Sequence, residues 1–177
     1  VGGLFVSGDY NRETGLVGNG STKYLNSNRL SSADPQDSFH LSLFVSTAAS
    51  SGTQMYIGGQ TTVPNDMYRD GANLTVRSRS VSATYTDKGG TTGFIGHSRA
   101  VAASFTSRIE GSTQSNSASS SSSSSANIFV FARNNNGSLS LPTDARLAFY
   151  SIGESLNLAL LDTRVTTLIN AFAAAIP

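Results

Sequence analysis

Apolar and polar residues alternate along this chain with a period of two from one end to the other, in runs of four to nine residues cut short by turn signals. Successive strand side chains point to opposite faces, so such runs read as half-buried β-strands. In "SFHLSLFVS", Phe39, Leu41, Leu43 and Val45 share one face, while His40, Ser42, Phe44 and Ser46 share the other. "NLTVRSRSVSATYT" sets Leu74 and Val76 against Thr75, Arg77 and Arg79, and "AVAASFTSRIEG" lines up Ala103, Phe105, Ser107 and Ile109. "GNGS", "ADPQD", "SSG", "IGG", "VPND", "RDGAN" and "DKGG" punctuate the runs. Roughly ten short strands at this spacing predict an antiparallel sandwich or barrel. The expected core includes Leu43, Val45, Val76, Phe105, Ile128, Val130, Leu147 and Phe149.

Two segments break the pattern. Residues 112–127, "STQSNSASSSSSSSAN", read as a flexible, solvated Ser-rich loop, with a Ser/Asn contact surface as the sharper alternative. Near the end, Leu161, Val165, Leu168, Ile169, Phe172 and Ile176 recur at spacings of three and four, which predicts an amphipathic helix over about 155–176, started by Ser155 or Asn157. Its stripe must lie on its own sandwich or on a partner chain; the first is preferred. The whole of 1–177 reads as one domain.

Composition removes several function classes. There is no cysteine, hence no disulfide or thiolate metal site. Twelve basic residues against eleven acidic ones give a net charge of +1, without the basic footprint of a nucleic-acid binder. Apolar runs fall short of the ~20 residues that span a bilayer, so no membrane insertion is expected. The first residue is Val, not Met, which reads as a processed chain or a piece of a longer one.

"IFVFAR", apolar on both faces, reads as a strand buried between two layers. "RNNNGS" then supplies an Asn-Gly turn, and "ARLAFYSIG" follows as the expected hairpin partner. The block "IFVFARNNNGSLSLPTDARLAFYSIGESL" with a helix after it, and "TGLVGNGSTKYLNSNR" near the front, resemble a family of tailed-bacteriophage structural and tail-fibre-associated proteins. The resemblance implies an all-β fold, an antiparallel jelly-roll sandwich of concanavalin A-like (laminin-G-like) type with one C-terminal amphipathic helix. It further implies a virion setting on the phage particle surface, with other virion proteins as partners. No binding residue is carried over from it.

Catalytic patterns are weak. None of the eleven acids lies two residues from another, whereas glycosidases place carboxylates on alternate positions of one strand face. His40 and His97 read as surface or partly buried structural residues, and no G-x-S-x-G elbow marks a nucleophile. "GLVGNGSTK" has the wrong order for a phosphate loop. Asp34 with Asp37, and Asp66 with Asp70, offer hard oxygen ligands without EF-hand spacing, so no metal or cofactor is expected, calcium being the one possible ion.

Carbohydrate recognition asks for an aromatic face and planar polar groups. "NDMYRDGAN" provides Tyr68, Arg69 and Asp70; "RNNNGS" provides Asn134, Asn135 and Asn136. The expected function is a non-catalytic virion protein, a tail fibre or spike domain that attaches to host-surface glycans. The alternative is an assembly or capsid decoration protein with no ligand, and a glycan-degrading enzyme comes third. A weakly charged surface and the avidity of repeated weak sites favour a homo-oligomer, with a trimer first.

Overall fold

A computed structural model describes residues 4–80 and 82–176. A 3-10 turn (Ser7–Asp9) precedes fifteen strands: β1 (Tyr10–Asn11), β2 (Gly15–Val17), β3 (Leu25–Leu30), β4 (Phe39–Thr47), β5 (Thr53–Gln60), β6 (Asn65–Asp70), β7 (Asn73–Ser78), β8 (Ser82–Tyr85), β9 (Gly93–Val101), β10 (Ser104–Ile109), β11 (Ser112–Ser117), β12 (Asn127–Val130), β13 (Arg133–Asn135), β14 (Ser138–Ser140) and β15 (Arg146–Gly153). One α-helix among the described residues, α1 (Leu158–Ala175), follows.

The strands form two sheets. Sheet A has the order β1-β2-β15-β4-β9-β10-β11. Sheet B runs β14-β13-β5-β6-β7-β8, with β12 bridging β3 and β5. The core lies between them. Phe39, Leu41, Leu43, Val45, Ile95 and Phe105 come from sheet A, and Ile57, Met67, Leu74, Val76, Ile128 and Val130 from sheet B. Burying one such side chain contributes about 1.5–3 kcal/mol. The alternation read from the sequence therefore describes the inner faces correctly at β4, β7 and β10.

Turn chemistry sets the hairpins. Asn136 and Gly137, with φ of 50° and 92°, join β13 to β14 in a two-residue loop of the mirror-image type that fits strand twist. Glu110 and Gly111 do the same between β10 and β11.

Several expectations need correction. "RNNNGS" does make a turn, but it joins β13 to β14; "IFVFAR" and "ARLAFYSIG" are not hairpin partners, because β12 lies in sheet B and β15 in sheet A. The Ser-rich segment is not all loop. Residues Ser112–Ser117 form β11, paired with β10, since Ser and Thr keep a strand where an edge position and a tight turn favour one. The remainder is tied to the body by Ser121 N to Arg79 O (2.8 Å), Ser120 N to Ala102 O (2.8 Å) and Ser120 Oγ to the Asp37 carboxylate (2.5 Å). Arg79, expected on the outer side of its strand, is fully buried at the positive φ of 53°. Its guanidinium lies 4.3 Å over the Phe39 ring and donates to the carbonyls of Ser31 and Pro35.

Phe149 is not in the inter-sheet core. A register shift at Ala148 pairs Leu147 with Val45 but Phe149 with Phe44, so the extra residue turns Phe149 to the outer face. There Phe149, Phe44 and Phe94 form one cross-strand row over β15, β4 and β9. An apolar row on an outer face needs a cover, and α1 supplies it with Leu158 and Val165 buried and Leu161 and Ile169 partly so.

The helix spans 158–175 rather than 155–176, because Asn157 caps it: its Oδ1 accepts from Ala159 N (3.0 Å) and Leu160 N (3.1 Å). Arg108 Nε to Asp162 (2.6 Å) pins it to β10. Two of the six expected stripe residues are not covered, since Leu168 and Phe172 are 46% and 49% exposed. By length and composition alone α1 is also apolar enough to cross a membrane, a feature that counting uninterrupted apolar runs missed.

Candidate functional site

The two polar clusters expected to bind ligand lie at opposite ends of sheet B. On β5, Thr53 faces Asp70 of β6 while Gln60 faces Asn135 of β13. Seven residues of strand, roughly 23 Å, separate them, so one sugar ring cannot touch both.

Within the first cluster Arg69 is already engaged. Its Nε donates to Gly71 O at 2.8 Å and its Nη1 to Ala49 O, which ties the β6–β7 turn to the loop before β5. Asp70 is exposed and accepts from Thr53 Oγ1 at 2.7 Å. Tyr68 is half-buried, with the Arg77 guanidinium 5.0 Å from its ring centre. In the second cluster Asn134 is buried, and its Oδ1 accepts from Gly137 N (2.7 Å), so it braces the hairpin. Asn136 occupies the turn itself. Asn135 is exposed and accepts from Gln60 Nε2 at 3.3 Å.

Between the clusters lies a charged row that the sequence did not single out. Arg133, Gly58, Asp66 and Arg77 are cross-strand neighbours on β13, β5, β6 and β7. Asp66 has no exposure. It accepts from Arg77 Nε at 2.7 Å and from Arg77 Nη2 at 2.6 Å, a bidentate pair. Burial pushes the Asp66 carboxyl up and the Arg77 guanidinium opposes that push. Gly58 makes room for this arrangement, since a Cβ there would lie 2.4 Å from Asp66 Cβ. Across that gap Arg133 approaches Asp66 only to 4.0 Å. Its other contacts are long, at 3.5 Å to Gln60 Oε1 and 3.4 Å to Ser140 Oγ, and its buried Nε has no partner among the described residues. The row thus holds two guanidiniums and one carboxylate, on a sheet face carrying Tyr68, Gln60 and Asn135. The readable signal was a Gly in mid-strand flanked in register by opposite charges, but register is not visible in one sequence.

The histidines are more buried than expected. His97 is fully buried between the rings of Phe39 and Phe105, at 6.1 and 6.0 Å, with neither ring nitrogen bonded among the described residues. Burial lowers it to about 3. His40 is also buried, and its ring bridges Glu154 O (2.6 Å) and Ser151 Oγ (2.8 Å). The acids weighed as calcium ligands have protein partners: Asp34 is paired with Arg29 (2.5 Å), and Asp37 accepts from Ser120.

No family model matches the chain, and no curated protein does. Solved structures share its fold. The CBM40 of the Ruminococcus gnavus IT-sialidase aligns at 10% identity and a TM-score of 0.55, covering 72% of this chain and 83% of that one. The same CBM40 bound to α2,3 sialyllactose aligns at 9% identity and a TM-score of 0.55, over 73% and 83%. The NanB sialidase from Streptococcus pneumoniae aligns at 11% identity and a TM-score of 0.56; 85% of this chain is covered, but only 26% of the sialidase. The class is therefore a mostly-β, two-sheet jelly roll like that of these carbohydrate-binding modules, here with one C-terminal helix.

Proposed function

We propose that this domain is a non-catalytic glycan-binding module of a bacteriophage virion, carried on a tail fibre or spike and used for attachment to host-surface glycans. The observation that carries the binding half is the shared sandwich: a CBM40 solved with α2,3 sialyllactose bound covers 73% of this chain and matches over 83% of its own length. The virion half rests on the resemblance of the terminal block, and with it goes the concanavalin A-like variant of the jelly roll. The ligand face in this reading is the outer side of sheet B, where Tyr68 and Asn135 meet the arginine row. The absence of acids at alternate strand positions supports a binding role over a hydrolytic one. Its partners in this reading are other virion proteins and further copies of the chain.

The test is a glycan array probed with the isolated chain, followed by immunogold labelling of phage particles. Retention of one glycan class, with gold on the fibres, is the expected result. A blank array would overturn attachment.

One observation favours assembly as a second role. Tyr10, Ala148, Phe149, Leu168, Phe172 and Ile176 line an apolar cavity of about 260 Å³ beside the second half of α1. In this reading the exposed Leu168 and Phe172 pack on neighbouring copies, in a homo-oligomer and foremost a trimer.

A further inference from the structure

We propose that Arg133 is the residue that receives the carboxylate of an acidic sugar on the outer face of sheet B. The inference rests on the glycan-binding reading and names the ligand class for that site.

Three features point to it. First, the charges do not balance. Asp66 spends both oxygens on Arg77 at 2.7 and 2.6 Å, so Arg133 faces a carboxylate already satisfied and 4.0 Å away. Second, Arg133 is held loosely despite its burial. Its side chain is only 15% exposed, yet it has no hydrogen bond shorter than 3.4 Å, and its Nε has none among the described residues. A guanidinium largely removed from water is costly unless paired. Turning the head toward an incoming oxyanion would forfeit no good bond, and a planar fork matches a planar carboxylate in two parallel bonds.

Third, the surrounding groups suit a sugar. Gln60 and Ser140 flank the guanidinium, and Asn135 is bonded to Gln60, so amides and a hydroxyl adjoin the charge where sugar hydroxyls need them. Gly58 keeps the floor of the row flat, and Arg77 remains locked on Asp66. Arg77 therefore fixes the carboxylate of the protein itself, which leaves Arg133 for that of the ligand.

The experiment titrates the full chain with α2,3 sialyllactose and with lactose by calorimetry, for the native protein, Arg133→Gln, and Arg12→Gln. The last removes the same charge from an exposed turn of the other sheet. Sialyllactose should bind at least about ten-fold more tightly than lactose, as a charge-assisted pair warrants. Arg133→Gln should abolish that preference by weakening sialyllactose binding to the level of lactose in a chain that still folds, and Arg12→Gln should keep the preference. Equal binding of the two sugars by the native protein, or an undiminished preference in Arg133→Gln, overturns the inference while glycan binding stands. Failure to bind any member of a wider array overturns the glycan reading and the inference with it. Glucuronic acid extends the test: competition with sialyllactose in the native protein is expected, and competition that persists unchanged in Arg133→Gln counts against the assignment.

Discussion

Arg77 reaches across one strand spacing to Asp66 and holds both of its oxygens, at 2.7 and 2.6 Å, on a carboxylate with no exposure to solvent. A buried pair of this kind is weak evidence of net stabilisation, but removing one partner strands the other in low dielectric. Asp66→Ala should therefore cost about 3–5 kcal/mol, because it leaves two guanidiniums uncompensated. Arg133→Gln, whose contact with Asp66 is 4.0 Å, should stay within about 1 kcal/mol. Urea unfolding of both variants measures the contrast; equal losses would show that Arg133 is as structural as Arg77.

Gly58 should resist substitution for a steric reason. Gly58→Ala puts a Cβ 2.4 Å from Asp66 Cβ and 3.2 Å from Met55 Sδ, and should cost about 1–3 kcal/mol as overpacking does. Gly90→Ala meets nothing within 4 Å and is expected to be neutral or slightly stabilising. Thermal melts of the pair decide, and a tolerated Gly58→Ala would mean that the row can open.

His97 makes the fold acid-sensitive before most carboxylates titrate. In the fold burial holds it at about 3, against an ordinary 6.5, while the unfolded chain takes its proton near 6.5. A lowered histidine favours the unfolded state as pH falls, so stability is complete above about 6.5 and declines progressively toward pH 3, at up to about 1.4 kcal/mol per pH unit. His40, also lowered by burial, adds to the same slope. His97→Phe should flatten the slope of unfolding free energy between pH 6.5 and 4.5. An unchanged slope would show that a water or another group supplies the missing hydrogen bond.

The two halves of α1 should answer mutation differently. Leu158→Ala removes a buried side chain that packs with the Phe44, Phe94 and Phe149 row, and should cost about 2–5 kcal/mol. Leu168→Asp, at a half-exposed position, should leave a folded chain within about 0.5 kcal/mol of the native one. If the exposed stripe is an assembly surface, light scattering will show the native chain as an oligomer and Leu168→Asp as a monomer. A native chain that is monomeric at all concentrations would rule this surface out as a self-association site.

What the sequence determined by itself was local. A period of two puts Leu41, Leu43 and Val45 on one face whatever they pack against. Asn136-Gly137 can take positive φ twice in succession, so a tight turn at that point was legible. Spacings of three and four made the terminal helix legible too, as did an Asn able to cap it. Tertiary structure decided everything that depends on register. One extra residue at Ala148 moved Phe149 from the core to the outer face and thereby created the surface that α1 covers. Strand order placed "IFVFAR" and "ARLAFYSIG" in different sheets although a turn separates them in the chain. The candidate site is of the same kind: Arg133, Gly58, Asp66 and Arg77 come from four strands, and only their alignment across sheet B brings two cations to one carboxylate. Alternation and turn preference act through neighbours a few residues apart, whereas register is set by contacts between distant segments, as where Leu147 of β15 pairs with Leu16 of β2, and a single sequence carries no direct record of those.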